Sequence, residues 1–176
     1  GIINLNDRSR ISGEVTNNGT LALWNDGAVM SAMVDGNLNN SGSILLNSGQ
    51  SNAGNILTVT GDYTGTQGSQ IYLSSVLGQD ASSTDKMVIN GNMEGSSEIL
   101  VNNLGGTGDY TLDGIEIVHV DGMSNGQFTL GGRAVAGSYE YYLYKGNLNG
   151  ENQNWYLRSE LPPDYEPTPG QGPQGN

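Results

Sequence analysis

A short unit recurs along this chain, and it constrains the fold more than any other feature. In each copy a glycine, a polar residue and an apolar residue separate two short apolar runs, and the copies begin at Gly36, Gly61, Gly91 and Gly146. These glycines are 25, 30 and 55 residues apart, and Gly122 after "IEIVHVD" divides the last interval into 31 and 24. A period of about 20–50 residues built from strands and turns is typical of a β-solenoid, in which each coil stacks on the next.

The composition indicates an all-β chain with many turns. Glycine contributes 28 of the 176 residues, and all five prolines lie at or after Pro162. A proline-free run of this length suits strands that each donate hydrogen bonds to a neighbour, because proline has no N–H to donate. A β-sandwich would also show short strands separated by turn signals, so it is the alternative to the solenoid that the pattern favours.

The charge and the missing cysteines exclude several classes of function. The formal net charge of −12 disfavours binding to nucleic acid or to an anionic membrane surface, because both would repel the chain. Without cysteine there is no disulfide, thiolate zinc site or thiol nucleophile. No apolar stretch is long enough to span a bilayer, and the start "GIINLNDRSR" has no signal-peptide core, so an exported protein would contain this chain as a fragment.

An aromatic hairpin is predicted near the C-terminus, in "SYEYYLYKGNLNGENQNWYLRSE". Tyr139, Tyr141 and Leu143 fall on one face of its first strand, and Trp155 and Leu157 are two apart on the return strand. Large rings alternating with leucine suit a strand that lies over the solenoid core, so these five residues are predicted to form a structural cap. An aromatic platform that binds a sugar or another ligand is the functional alternative.

The chain therefore divides into three predicted parts. Residues 1–113 are expected to form the coils, and residues 114–160 the capping part. Residues 161–176, "LPPDYEPTPGQGPQGN", combine proline, glycine and glutamine and are predicted to be an extended, flexible linker.

From about Asn55 to Glu160 the chain resembles the C-terminal part of the pertactin-like and AIDA-like autotransporter passengers of Gram-negative bacteria. The matching stretches follow the family's order: "LTVTGDYTG" (57–65), "VLGQDASSTDKMVINGN" (76–92), "NNLGGTGDYTLDGIEIVHVDG" (102–122), "GGRAVAGSYEYYLYKG" (131–146) and "NWYLRSE" (154–160). The resemblance implies a right-handed parallel β-helix that ends in an autochaperone region, just before a linker and an outer-membrane barrel. It also implies a location at the cell surface, attached to the outer membrane.

The function implied by this resemblance is a non-catalytic module that templates and caps the folding of a β-helical passenger during export. Its expected partners are its own N-terminal passenger coils and its own C-terminal barrel, in a monomer, with host surface or matrix molecules bound through a parent adhesin. The alternative is that the fragment itself is an adhesive surface. A polysaccharide lyase is rejected, because such enzymes need clustered acidic ligands beside a basic catalytic residue, and the six basic residues here are scattered.

No catalytic, cofactor or metal residues are predicted. His119, the only histidine, has no second histidine or carboxylate cluster at ligand spacing in the sequence. The loop "DASSTDK" (80–86) has no third group to orient a nucleophile and is expected to be solvated. "GGTGDY" (105–110) and the segment from Asp35 fail as calcium loops, and Arg133 is expected to pair with a carboxylate or to cap carbonyls.

Overall fold

The computed structural model describes residues 1–160, without the side chains of Asn25, Asp26 and Gln50, and the predicted linker 161–176 lies outside the described residues. The described part contains seventeen strands and no helix: β1 (Ile2–Leu5), β2 (Arg10–Ser12), β3 (Val15–Asn17), β4 (Thr20–Gly27), β5 (Ser31–Asp35), β6 (Leu38–Asn40), β7 (Ser43–Gln50), β8 (Ile56–Val59), β9 (Tyr63–Gly65), β10 (Gln70–Ser75), β11 (Lys86–Ile89), β12 (Met93–Asn103), β13 (Ile115–Val120), β14 (Gln127–Leu130), β15 (Ala134–Ala136), β16 (Tyr139–Lys145) and β17 (Trp155–Glu160). Within this range no helix is long and apolar enough to cross a membrane.

The strands form a parallel β-solenoid of about four turns. Coil 1 consists of β1–β3, coil 2 of β4–β6, coil 3 of β7–β9, and coil 4 of β10, β11 and the start of β12. Strands on the same face pair in parallel from one coil to the next, as in β2-β5-β8-β11-β13 and β3-β6-β9-β12. The predicted β-solenoid is confirmed. The sandwich alternative is wrong, because its sheets would pair strands by antiparallel hairpins.

Alternation along each strand places one face inside the coil. In β8 and β11 the burial alternates strictly, so that Leu57 and Val59 lie inside one coil and Met87 and Ile89 inside the next. The inward positions are in register from coil to coil, since Val59 is the Cα partner of Ile89. Each such side chain contributes at most about 1.5–3 kcal/mol when it is fully buried. That burial is complete only when a neighbouring coil is present.

Four of the five glycines that mark the recurring unit, which we call the anchor glycines, stack on one another at the same corner of the solenoid. The N–H of Gly61 donates to Gly36 O, that of Gly91 to Gly61 O, and that of Gly122 to Gly91 O, each at 2.9 Å. A Cβ on Gly91 would lie 2.6 Å from Gly61 O, so the close approach of the backbones requires glycine here. The recurring unit thus marks one corner of each coil.

The assignment of Gly146 as a coil anchor is wrong. Gly146 lies in the turn between β16 and β17, and its N–H donates to Asn154 O at 2.6 Å. Its φ is +86°, a conformation that glycine adopts readily and L side chains rarely do. The same three-residue pattern therefore arises for two different reasons. The hairpin turn needs a residue that adopts a positive φ, whereas the coil corner needs a residue without a Cβ.

The pairing changes direction near the C-terminus. β13 pairs in parallel with β11, and β14 pairs in parallel with β12. From Ala134 onward the strands are antiparallel: β15 pairs with β16, β16 with β17, and β17 with β13. The predicted hairpin thus exists, and it is attached through β17 to the last strand of the second parallel sheet.

Candidate functional site: the C-terminal closure

A column of aromatic rings joins the hairpin to the solenoid interior. The ring of Trp155 meets Phe128 edge-on at 5.2 Å between centroids, and Phe128 in turn packs against Tyr63 at 5.9 Å. All three side chains are at most 2% exposed. Edge-to-face aromatic pairs add about 0.5–1.5 kcal/mol to the burial of their area. This column connects β17 with β14 of the last parallel pair and with β9 of coil 3.

A serine ends the apolar row that runs inside the third face of the solenoid. Leu38, Tyr63 and Met93 are Cα partners of one another from coil to coil and are fully buried, and the next partner of Met93 is Ser124. The Ser124 hydroxyl accepts a hydrogen bond from the indole Nε1 of Trp155 at 3.1 Å and donates to Gln153 O at 2.7 Å. The last position of the row therefore matches the polar edge of the tryptophan that covers it.

Tyr141 reaches from the hairpin back to coil 4. Its ring is fully buried, and its hydroxyl donates to Gly78 O at 2.7 Å and accepts from the N–H of Asp109 at 3.2 Å. Burial raises the pKa of the Tyr141 phenol, so the hydroxyl is protonated and donates at neutral pH. This contact spans 63 residues of sequence and ties the cap to the loop after β10.

The other predicted cap residues also face the core, although not to the same depth. Leu157 is fully buried, whereas Tyr139 and Leu143 are partly buried and pack against the core cluster. Tyr156 alternates with Trp155 and Leu157 along β17, and it is buried as well, with its hydroxyl accepting from Asn152 Nδ2 at 2.9 Å. Tyr142 is 41% exposed on the outer face of β16.

Arginines bind carbonyls and carboxylates around the hairpin. Arg158 donates to Asp113 O from Nε at 3.0 Å and from Nη2 at 2.8 Å, and its guanidinium lies 4.4 Å from the centre of the Tyr144 ring. Arg133 donates to both carboxylate oxygens of Glu140, at 3.1 and 2.8 Å, which confirms its predicted pairing. These hydrogen bonds with Arg133 lower the pKa of Glu140.

The loop 80–86 binds backbone amides, and the expectation that it is merely solvated is wrong. The Asp80 carboxylate accepts the N–H groups of Leu112, Asp113 and Gly114 at 2.8–3.2 Å. Asp85 is fully buried and accepts the N–H groups of Gly54, Asn55 and Ser74 at 2.7–3.0 Å. Burial raises the pKa of Asp85, while these backbone bonds act in the opposite direction. Both aspartates join segments from neighbouring coils.

His119 lies between two carboxylates that are close to it in the sequence. Its Nε2 lies 3.0 Å from Asp121 Oδ1, and its Nδ1 lies 3.4 Å from Glu116 Oε2. Glu116 also accepts from Lys86 Nζ at 2.7 Å. Glu116 and Asp121 belong to the same segment as His119, three residues before it and two residues after it, and the parallel stack adds Lys86 from the neighbouring strand. Within residues 1–160 no group of three or more His, Cys, Asp or Glu is arranged to hold a metal ion.

The two segments that were rejected as calcium loops make local contacts. Asp35 pairs with Arg10 and accepts from Thr60 Oγ1 at 2.8 Å, and the hydrogen bond with Arg10 is the main reason that its pKa is lowered. Asp109 of "GGTGDY" accepts from Gln79 Nε2 at 3.0 Å and from the N–H of Tyr110 at 2.8 Å. These aspartates therefore stabilise corners and loops.

Sequence reasoning missed Tyr63, Phe128 and Ser124 as partners of the cap. Phe128 is the only phenylalanine of the chain and alternates with exposed Gln127 and Thr129, which was a usable signal. Ser124 gave no such signal, because its role depends on Trp155, which lies 31 residues away.

More than half of the chain matches a known protein family. The family model described as Autochaperone Domain Type 1 matches residues 33–143, which is more than half of the chain. The chain belongs to this family. The match begins in coil 2 and ends within β16, so it includes most of the solenoid and the first strand of the hairpin.

Curated relatives point to the same class of protein. The Autotransporter adhesin AIDA-I of Escherichia coli is 51% identical over 111 residues, which cover 62% of this chain and 9% of that protein. The Adhesin BmaC autotransporter of Brucella suis biovar 1 (strain 1330) is 42% identical over 169 residues, covering 85% of this chain and 5% of that protein. The Probable autotransporter YfaL of Escherichia coli (strain K12) is 36% identical over 182 residues, covering 95% of this chain and 14% of that protein.

This autochaperone domain is thus similar to a small part of much longer autotransporters. The resemblance found in the sequence is confirmed, and so is the predicted location at the surface of Gram-negative bacteria, attached to the outer membrane. Autochaperone domains of adhesin autotransporters are not known as an enzymatic family.

Proposed function

We propose that this autochaperone domain caps the C-terminal end of a β-helical passenger and templates the folding of the coils that precede it. The observation that carries the proposal is the change from repeating parallel coils to an antiparallel cover at the C-terminal end. At the C-terminal end the antiparallel strands β15–β17 follow the last parallel pairs, and Trp155 is buried in the aromatic column. At the N-terminal end β1, β2 and β3 each stand last in the strand order, with one parallel neighbour.

The open N-terminal end can accept another coil by the contacts already present between coils. In the described structure β1–β3 pair only with coil 2, so their other edges carry backbone groups that a further strand would bind. Ile2 and Ile3 are exposed at this end. A coil that docks there would bury apolar area and gain a row of backbone hydrogen bonds. Its return through a narrow pore would then require those contacts to be broken.

The proposed partners follow from this role. They are the domain's own preceding passenger coils and its own outer-membrane barrel, in a monomer. We propose that the domain has no catalytic role, because the charged side chains that could act in catalysis make structural contacts instead. Asp80 and Asp85 bind backbone amides, and Arg158 binds carbonyl groups at the hairpin.

An adhesive role is the second candidate, and the names of two relatives favour it, since AIDA-I and BmaC are both called adhesins. The chain covers only 9% and 5% of those proteins, so an adhesive surface of the parent protein can lie elsewhere. Binding of the 176-residue chain to cells or matrix proteins would support this candidate if substitutions at exposed side chains, such as Leu112 and Tyr142, abolished it.

The capping and templating role is tested in the full-length parent protein on its own cells. Deletion of residues 139–160 removes β16 and β17 and should strongly reduce the amount of protease-resistant passenger on the cell surface. A matched control carries Tyr142→Ala on the exposed face of the same hairpin, and it should display passenger normally. Unchanged display of folded passenger after the deletion would contradict the proposal.

A further inference from the structure

A row of side-chain acceptors follows the stacked glycines. The residue after each anchor glycine extends its carbonyl or carboxylate oxygen to the backbone N–H of the equivalent residue in the next coil. Asn37 Oδ1 accepts from the N–H of Asp62 at 2.8 Å, and Asp62 Oδ1 accepts from that of Asn92 at 2.8 Å. Asn92 Oδ1 accepts from the N–H of Met123 at 2.9 Å. We call Asn37, Asp62 and Asn92 the corner ladder.

Each oxygen of the corner ladder also occupies the space that a Cβ would need on the glycine of the next coil. An added Cβ would lie 2.2 Å from Asn37 Oδ1 at Gly61, and 2.3 Å from Asp62 Oδ1 at Gly91. At Gly122 the distance to Asn92 Oδ1 would be 2.3 Å. Real Cβ atoms do not approach other atoms this closely. The acceptor in one coil and the glycine in the next therefore fit each other as a pair.

The apolar pattern alone does not fix the register of these coils. A slip of one residue would turn every inward side chain outward, and burial excludes it. A slip of two residues keeps inward positions inward, and the mixed Leu, Val, Met and Ile side chains of β8 and β11 could repack around it. At the corner, however, a two-residue slip would place Ile89 or Met93 where Gly91 now lies.

We infer that the corner ladder sets the register in which coils stack. In the native register each acceptor meets both a free amide and a glycine. In a slipped register the acceptor loses its amide and meets a Cβ, so the ladder favours one register and penalises the even slips that burial tolerates. This inference concerns the contact between coils and does not depend on which end folds first.

The ladder also has a direction, and here the inference rests on the proposed function. The acceptor belongs to the N-terminal coil of each pair, and the amide donor belongs to the C-terminal coil. If coils are added from the C-terminal end, the folded coil presents a fixed N–H, and the arriving coil brings a mobile side chain to it. The hydrogen bond between them then forms only if the arriving coil docks in the native register.

The register can be measured by disulfide trapping in the 176-residue chain, which contains no native cysteine. Thr58 and Val88 are Cα partners in adjacent strands, at a spacing of about 4.8 Å that a disulfide can bridge. Thr58 and Asn90 are two residues out of register, more than about 7 Å apart, and can be bridged only after a slip. Each cysteine pair is introduced separately, and the protein is refolded and then oxidised.

Asp62→Ala removes the acceptor, whereas the matched control Asp62→Asn retains it. With Asp62→Ala we expect the yield of the slipped 58–90 disulfide to rise about tenfold, in line with the loss of one hydrogen bond. Asp62→Asn should give the 58–88 disulfide as efficiently as the unmodified corner does. Equal ratios of slipped to native disulfide in the two variants would overturn the inference.

A gain-of-contact variant covers the case in which Asp62→Ala fails to fold. Coil 1 departs from the ladder, because Glu14 follows Gly13 and its carboxylate accepts from Asn39 Nδ2 at 2.9 Å. Glu14→Asn should extend the ladder and slow hydrogen exchange at the Asn37 amide about tenfold. The Asn92 amide, already bound to Asp62, should be unaffected. Unchanged exchange at Asn37 would count against the inference, whatever the display experiment on the parent protein showed.

Discussion

The two ends of the described solenoid differ in strand pairing and in the residues at their corners. Coil 1 has three strands that each pair on one side, and its corner residue, Glu14, departs from the ladder that begins at Asn37. At the other end the corner row stops at Met123, and the interior row stops at Ser124, which binds Trp155. The repeating stack therefore ends on its C-terminal side, where its inward and corner positions change to match a non-repeating cover.

Removal of the cap's central side chain, Trp155, should destabilise the protein more than the other substitutions proposed below. Trp155→Ala leaves a cavity beside Phe128 and removes the hydrogen-bond donor to Ser124, so we expect a loss of about 3–5 kcal/mol in the free energy of unfolding. Urea denaturation followed by circular dichroism measures it.

The control for Trp155→Ala is Tyr142→Ala, which truncates an exposed ring on the adjacent strand. This change should cost less than about 1 kcal/mol. Equal losses in the two variants would mean that the hairpin contributes to stability only as a surface feature and does not seal the core.

A clash within the stack should have an intermediate effect. In Gly91→Ala the new Cβ would meet Asp62 Oδ1 at 2.3 Å and Gly61 O at 2.6 Å, so the coils must separate locally. We expect a destabilisation of about 1–3 kcal/mol by thermal or urea unfolding. Gly132→Ala is the matched control, because a Cβ there meets nothing within 4 Å. If Gly91→Ala were as stable as Gly132→Ala, the close approach at the corner would not limit the stack.

Loss of a single tie between cap and coil should have the smallest effect. Tyr141→Phe keeps the buried ring but leaves Gly78 O without its hydroxyl donor, so we expect a cost of about 1–2 kcal/mol. Hydrogen exchange should accelerate at Asp109, whose N–H donates to the same hydroxyl. Tyr142→Phe removes an exposed hydroxyl on the same strand and should leave stability and exchange unchanged, and a similar cost in both variants would contradict the proposed tie.

The sequence predicted those parts of the fold that repeat or alternate. Gly36, Gly61, Gly91 and Gly122 could be identified because a close backbone approach recurs in every coil, and the buried faces of β8 and β11 follow from strict alternation. Gly146 was misassigned because the sequence does not distinguish two kinds of glycine. One kind is needed for a positive φ in a turn, and the other is needed where a Cβ would not fit between coils.

Contacts between unlike segments could not be predicted in the same way. Ser124 is an ordinary polar residue until Trp155 is placed over it, and Asp85 carries no sign in the sequence that amides of Gly54, Asn55 and Ser74 converge on it. These roles depend on contacts between residues that are 11–31 positions apart in the sequence, and a local sequence pattern does not show which distant residues meet.

The central claim is that the capped C-terminal end orders first and the open end adds to it. Pulsed hydrogen exchange during refolding of the 176-residue chain tests it directly, with the amides read out one by one by NMR. The account predicts that amides of β13, β16 and β17 become protected first and those of β1–β3 last. Protection of β1–β3 before, or together with, the hairpin strands would contradict it.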